Sequence, residues 1–148
     1  MDGLMPKPTR VINLLRSLPT VLLLLGATTL THAAAEIEPN NTSGQANTLT
    51  SGVTMSGNLY DGTDEDYFRI NVGTSGTLTI NVSSYNNAEL EVLNPSLQVV
   101  GAINNIWGSG GESLSVGVAT SGYYYVRLYQ GSGIANTDSY DLTVTYSS

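Results

Sequence analysis

Tyr123-Tyr124-Tyr125-Val126-Arg127-Leu128-Tyr129 is the stretch whose reading decides the fold. Successive side chains of an extended strand point to opposite faces. That rule places Tyr124, Val126 and Leu128 on one side and Tyr123, Tyr125, Arg127 and Tyr129 on the other. The first side is apolar enough for a core. The second is three tyrosines around an arginine. The segment therefore reads as a half-buried strand.

The same alternation recurs outward from it. Leu78, Ile80 and Val82 oppose Thr77, Thr79, Asn81 and Ser83, and Tyr140, Leu142, Val144 and Tyr146 oppose Asp141, Thr143 and Thr145. Eight strands are expected, over residues 53–60, 66–72, 77–83, 89–93, 97–103, 113–118, 123–129 and 139–146. Turn-forming runs separate them, among them Asp61-Gly62, Gly73-Thr74-Ser75-Gly76, Asn94-Pro95 and Gly108-Ser109-Gly110-Gly111. No stretch beyond Glu36 keeps a helical period over three turns. Short strands at near-regular spacing with Gly-rich turns predict an all-β protein, an antiparallel β-sandwich or jelly roll of about eight strands. Residues 36–51 are polar and unpatterned, either a flexible lead-in or a segment ordered by something other than apolar burial.

The N-terminus has another texture. Lys7, Arg10 and Arg16 precede an apolar run through residues 18–30, and Ala33, Ala34 and Ala35 follow. Basic, apolar and small residues in that order predict a secretory signal peptide over residues 1–35, with cleavage after Ala35 and alternatives after Ala33 or Ala34. The apolar run is short for a membrane span, which needs roughly 20 residues. Removing 35 residues from 148 leaves 113, enough for one domain with a real core over residues 36–148. The chain has no Cys, so it has no disulfides, lipid-anchor cysteine or thiolate sites. The expected location is periplasmic or secreted.

Export sharpens the charge. Of five basic residues only Arg69 and Arg127 remain, against eleven of twelve acidic ones, a balance of −9. Such a surface repels phosphate backbones and argues against nucleic-acid partners. The only His, His32, lies in the signal peptide, and no Lys follows Lys7. A serine triad therefore lacks its base and a zinc site its usual ligands. Paired carboxylates are the remaining catalytic option, as in a glycoside hydrolase; the formal pairs are Asp64 with Asp66 and Glu89 with Glu91. The expectation is that the protein is not an enzyme.

Two candidate binding regions follow. Glu36, Glu38, Asn40 and Asn41 offer oxygens in one segment, and Asp61, Asp64 and Asp66 in another. Calcium takes six to eight oxygen ligands at about 2.3–2.6 Å. Crowded carboxylates without a basic neighbour are costly unless a cation neutralises them or water screens them. A calcium ion would staple the first segment onto the second; a solvated acidic loop is the plainer alternative. The spacing is not that of an EF-hand. The second region is the face of Tyr123, Tyr125, Arg127 and Tyr129, with Trp107 in a Gly-rich loop. Exposed aromatics suit extended protein segments or sugar rings, although cross-strand packing also accounts for them. Arg127 is expected to pair with Asp138 or Glu91.

Several motifs in order also carry a family likeness. Glu36-Ile37-Glu38-Pro39-Asn40-Asn41-Thr42, Ala46-Asn47, Gly57-Asn58-Leu59 and Asp64-Glu65-Asp66-Tyr67-Phe68-Arg69-Ile70 resemble the opening of the bacterial pre-peptidase C-terminal domain. Residues 121–129 and 139–144 resemble its last two strands. The likeness implies a jelly-roll β-sandwich related to the collagen-binding domains of clostridial collagenases, usually found beside a secreted protease. It implies calcium held by Glu36, Glu38, Asn40, Asn41 and Asp66, with Asp64 or Asp61 standing in for a second aspartate and Tyr140 matching a late tyrosine. It also matches Tyr125 and Tyr129 to surface tyrosines of the collagen-binding relatives. Implied partners are an extracellular protein such as collagen, a polysaccharide, or a secreted protease. Here the signal peptide, not a peptidase, abuts the domain.

Overall fold

The computed structural model describes residues 33–83, 87–106, 110–131 and 139–148. The expected signal peptide lies outside them except for residues 33–35, as do Trp107 and Asp138.

Among the described residues ten strands form two five-stranded sheets. The first has the order β1 (Ala34–Ala35), β3 (Thr54–Asn58), β10 (Ser139–Ser147), β5 (Gly76–Val82), β8 (Glu112–Val118). The second has the order β2 (Asn47–Thr48), β4 (Glu65–Val72), β9 (Gly122–Gln130), β6 (Ala88–Leu93), β7 (Val99–Ile106). The eight expected strands are all present and pair antiparallel. The extra two are short and parallel: β1 joins β3, and β2 joins β4. Residues 34–48 thus cross from one sheet to the other. Ala34 and Ala35, read from sequence as the end of the signal peptide, pair with Met55 and Ser56.

The period-two alternation governs packing. Tyr124, Val126 and Leu128 face inward against Phe68, Ile70, Leu90 and Val92, and meet Leu78, Ile80, Leu142 and Val144 of the other sheet in one buried cluster. Burying each such side chain contributes about 1.5–3 kcal/mol. Phe68 and Tyr140 meet edge-to-face across the sandwich, ring centroids 6.4 Å apart. Tyr146, expected in the core, is half-buried at its margin and donates its hydroxyl to the Thr74 carbonyl at 2.8 Å.

The fifth strand begins later than expected. Asn94 Oδ1 accepts the Ser96 and Gln98 amides at 2.9 and 3.0 Å, and the Leu97 amide bonds the Asn94 carbonyl at 2.8 Å. This side-chain-closed turn holds Leu97 at φ 60°, in the left-handed region, so β7 starts at Val99 and runs on to Ile106.

Leu128 is fully buried opposite Leu90 at the centre of the second sheet. Leu128→Ala should lower the unfolding free energy by about 2–5 kcal/mol in urea denaturation. A loss under about 1 kcal/mol would contradict the packing described.

Candidate metal centre

β4 carries a carboxylate where its pattern calls for an apolar side chain. Asp66 shares the inward face with Phe68, Ile70 and Val72 and is fully buried. A buried ionised carboxylate requires compensation. From the opposite sheet the Tyr140 hydroxyl donates to Asp66 Oδ2, and it also lies 3.1 Å from Glu36 Oε2.

The crossing segment brings the other acids. The Glu36 amide donates to the Ser56 carbonyl at 2.9 Å, extending the β1 pairing, and Glu36 Oε1 accepts the Asn58 amide at 2.6 Å. Asn47 fixes the far side, its side chain bonding both the amide and the carbonyl of Ile37 at 2.7 and 2.9 Å. Between these anchors Glu36, Glu38 and Asp66 place carboxylate oxygens within 4.8 Å of one another. Gly57 leaves the space for this: a Cβ there would lie 2.3 Å from Tyr140 Oη and 2.6 Å from Glu36 Oε2.

Asn40 completes the cluster and is fully buried. Its backbone amide donates to Glu38 Oε2 at 2.9 Å, and its carbonyl accepts from Tyr67 at 2.9 Å. Its side-chain Nδ2 lies 3.3 Å from Glu36 Oε2, so Oδ1 is turned toward Asp66 Oδ1 and Glu38 Oε2, which are both acceptors. With the amide reversed, nitrogen would donate to those two oxygens at 3.0 and 3.2 Å. The reversed amide is satisfied without an ion, whereas the amide oxygen would be one further ligand if an ion were bound. The donors are all oxygen, the set suited to calcium or magnesium. The residues present fit such an ion.

Electrostatics agree with that fit. Among the described residues the ion pairs are Arg127 with Glu65 and with Glu91, so none reaches the cluster. Burial pushes the Asp66 carboxyl up to about 9; the Tyr140 bond opposes this, and repulsion from Glu36, Asp64 and Glu38 adds to it. Burial likewise raises Glu36. Without a cation, protons must take its place.

The other expected ligands stand apart. Asp64 is buried but caps the Tyr60 amide through Oδ2 at 2.7 Å. Asp61 is solvent-exposed and accepts the Thr63 amide and hydroxyl at 2.8 and 2.7 Å, bonds that hold its carboxyl below the usual range. Asn41, Asp61 and Asp64 line a neighbouring depression of about 400 Å³ that Glu38 and Tyr60 share. Of the eight residues singled out, then, Glu36, Glu38, Asn40, Asp66 and Tyr140 converge.

The tyrosine face is real as a face, and its groups largely satisfy one another. Arg127 donates to Glu65 at 2.6 and 3.0 Å and to Glu91 at 3.1 Å, and its guanidinium lies 4.4 Å from the Tyr129 ring. The Tyr129 hydroxyl donates to Glu89 at 2.7 Å. Tyr123 is more open, with Arg69 5.0 Å from its ring. Sequence reading overlooked Glu65, which the period of two already placed beside Tyr67 on this outer face. It gave no role to Gly57, Asn58 or Asn47 either. Glu89 and Glu91 are spent on Tyr129 and Arg127.

Two outcomes follow for the cluster. The folded-state pKa of Asp66 exceeds its ordinary 3.8, so the stability it contributes is full below that value and is lost as pH rises toward 9. In chelator the melting midpoint should therefore fall between pH 5 and pH 9, with Asp66→Asn flattening the slope; a wild-type profile without that fall counts against the burial. Gly57→Ala should cost about 1–3 kcal/mol by displacing Tyr140 or Glu36, which thermal melts would register; an unchanged midpoint would mean the space is not needed.

No protein-family model matches the sequence, and no curated protein does. Solved structures do share the fold. The pre-peptidase C-terminal domain of a collagenase from Bacillus anthracis aligns with a TM-score of 0.56 at 18% identity, over 68% of this chain and 94% of its own. PliG from Aeromonas hydrophila, a periplasmic inhibitor of g-type lysozyme, aligns with a TM-score of 0.58 at 17% identity, over 69% of this chain and 96% of its own. The chain is an all-β sandwich with the fold of the bacterial pre-peptidase C-terminal domain.

Proposed function

We propose that the protein is an exported, non-catalytic binding module whose N-terminal segment is stapled by a calcium ion held by Glu36, Glu38, Asn40 and Asp66, with the Tyr140 oxygen beside it. The observation that carries this is the meeting of Glu36 and Glu38 with the fully buried Asp66, whose carboxylate oxygens lie within 4.8 Å of one another while no ion pair among the described residues reaches them. Calcium tolerates an irregular cage supplied mainly by protein oxygens, whereas magnesium keeps a strict octahedron and several waters. The ion would replace protons on Asp66 and Glu36 and would tie the crossing segment to both sheets.

A non-catalytic role is supported by the absence of His and Lys beyond residue 35. The carboxylate pairs considered for hydrolysis are engaged structurally: Asp66 is buried against Tyr140, Asp64 caps a turn, and Glu89 and Glu91 bond Tyr129 and Arg127. A signal-like N-terminus supports export, and the fold neighbours come from a collagenase and a periplasmic inhibitor. Whether the module acts in the periplasm or beyond it, its partner on the tyrosine face would be an extracellular protein or a secreted protease. Aromatic rings and Arg127 are the composition that protein interfaces favour, and Tyr123 at 44% exposure is the most accessible of them.

Calcium at a hundredfold excess over its Kd should raise the melting midpoint by about 10 °C relative to chelator. Asp66→Ala should abolish that shift. Asp66→Asn should fold without calcium and be indifferent to it, which separates loss of the ion from loss of the fold. An equal midpoint with calcium and with chelator for the wild-type protein would overturn the reading.

A further inference from the structure

Beyond residue 35 the chain has two arginines, and the fold treats them differently. Arg127 is held by Glu65 and Glu91. Arg69 has no ion pair among the described residues, although eleven Asp and Glu lie beyond residue 35. Its Nε donates to Thr48 Oγ1 at 3.1 Å, and its guanidinium lies over the Tyr123 ring, 5.0 Å from the centroid. Those contacts use one N–H and the flat face of the group. The terminal nitrogens keep their in-plane donors, the fork that matches a carboxylate.

The register shows what surrounds that fork. Thr48, Arg69, Tyr125, Leu93 and Val99 stand side by side across β2, β4, β9, β6 and β7, neighbours about 4.7–4.9 Å apart. The position facing Arg127 on β6 is Glu91, whereas Arg69 is flanked by Thr48 and Tyr125. Leu93 is buried yet stands outside the core cluster, as an outer-face residue does. Asn71 and Tyr123 form the next row. Tyr123, Leu97 and Val99 are 44%, 49% and 52% exposed. A half-buried guanidinium thus adjoins a strip of aromatic and aliphatic surface.

We propose that Arg69 and this strip form a docking site for a protein segment that carries a carboxylate beside a large apolar side chain. The carboxylate sits on the Arg69 fork, and the apolar group on Tyr123, Tyr125 and Val99. This rests on the reading of the tyrosine face as a protein-binding surface and adds the chemistry of the partner. Charge complementarity selects the occupant: a bidentate guanidinium–carboxylate pair is the strong, directional contact that the free donors offer. Arginine with tyrosines and aliphatic groups is also the composition of interface centres. A polyanion would meet one open positive charge on a domain of net charge −9, whereas a lone carboxylate needs only one. The same net charge requires the rest of the segment to be neutral or basic. Basic residues would fall toward Glu65, Glu89 and Glu91, farther along the same face.

The test pans a phage library of random peptides against the exported protein and measures synthetic copies of the enriched sequences by calorimetry. Enriched peptides are expected to carry a single Asp or Glu next to a large apolar residue. Arg69→Gln should weaken their binding about tenfold, and so should replacing the acid of the peptide by its amide. Arg69→Lys, which keeps the charge and loses the fork, should recover only part of the affinity. Ser115→Ala, exposed on the other sheet, should change nothing. Peptides that bind through Tyr125, as judged by Tyr125→Ala, yet lack an acid or ignore Arg69→Gln would overturn the proposal and leave the protein-binding face standing. No enrichment at all would overturn both. Retention of the protein on polygalacturonate without enrichment of acidic peptides would assign Arg69 to a glycan and overturn the proposal as well.

Discussion

A carboxylate buried between two sheets is the constraint on which the N-terminal third of the molecule depends. Asp66 stands where β4 otherwise buries Phe68, Ile70 and Val72. Its hydroxyl partner, Tyr140, comes from the other sheet, and the remaining neighbours, Glu36, Glu38 and Asn40, come from the crossing segment. That segment contributes little to the core; only Ala46 is buried among its hydrophobic residues, while Ile37 is 75% exposed. Apolar burial alone therefore explains poorly why residues 34–48 pair with both sheets. A polar anchor explains it, provided the like charges gathered there are neutralised.

Protons can perform that task, and under the proposal a divalent cation would compete with them. At acidic pH a protonated Asp66 donates or accepts with no net repulsion, and the Asn40 amide bonds its neighbours as a neutral group. As pH rises the protons leave, and the buried negative charges must be balanced or separated. Under the proposal, a cation within the oxygen cluster would balance them. The ordering of the segment, the space left by Gly57 and the high Asp66 pKa are then consequences of one electrostatic requirement.

The strands were legible because alternation is local: Tyr124, Val126 and Leu128 declare their face from sequence alone, and so do Leu78, Ile80 and Val82. The two parallel pairings were not, since Ala34–Ala35 and Asn47–Thr48 are too short to show a period, and their order comes from contacts with β3 and β4. The acidic segments were visible, yet sequence reading grouped Asn41, Asp61 and Asp64 with the cluster. An Asx turn at Asp61 and a backbone cap at Asp64 use those carboxylates locally, a competition that composition does not reveal. Asp66 was separable from them by lying within the expected strand 66–72, in phase with Phe68, whereas Asp61 and Asp64 precede that strand.

The central claim is that one ion fastens the crossing segment to both sheets, and amide hydrogen exchange followed by NMR addresses it residue by residue. The Tyr67 amide bonds the Asn40 carbonyl, and the Asn58 amide bonds Glu36. At neutral pH, adding calcium to chelator-treated protein is expected to slow exchange at Asn40, Asn58 and Tyr67 at least tenfold while amides of the distant β6–β9 pairing change far less. Exchange at those three amides that is indifferent to calcium would contradict the account.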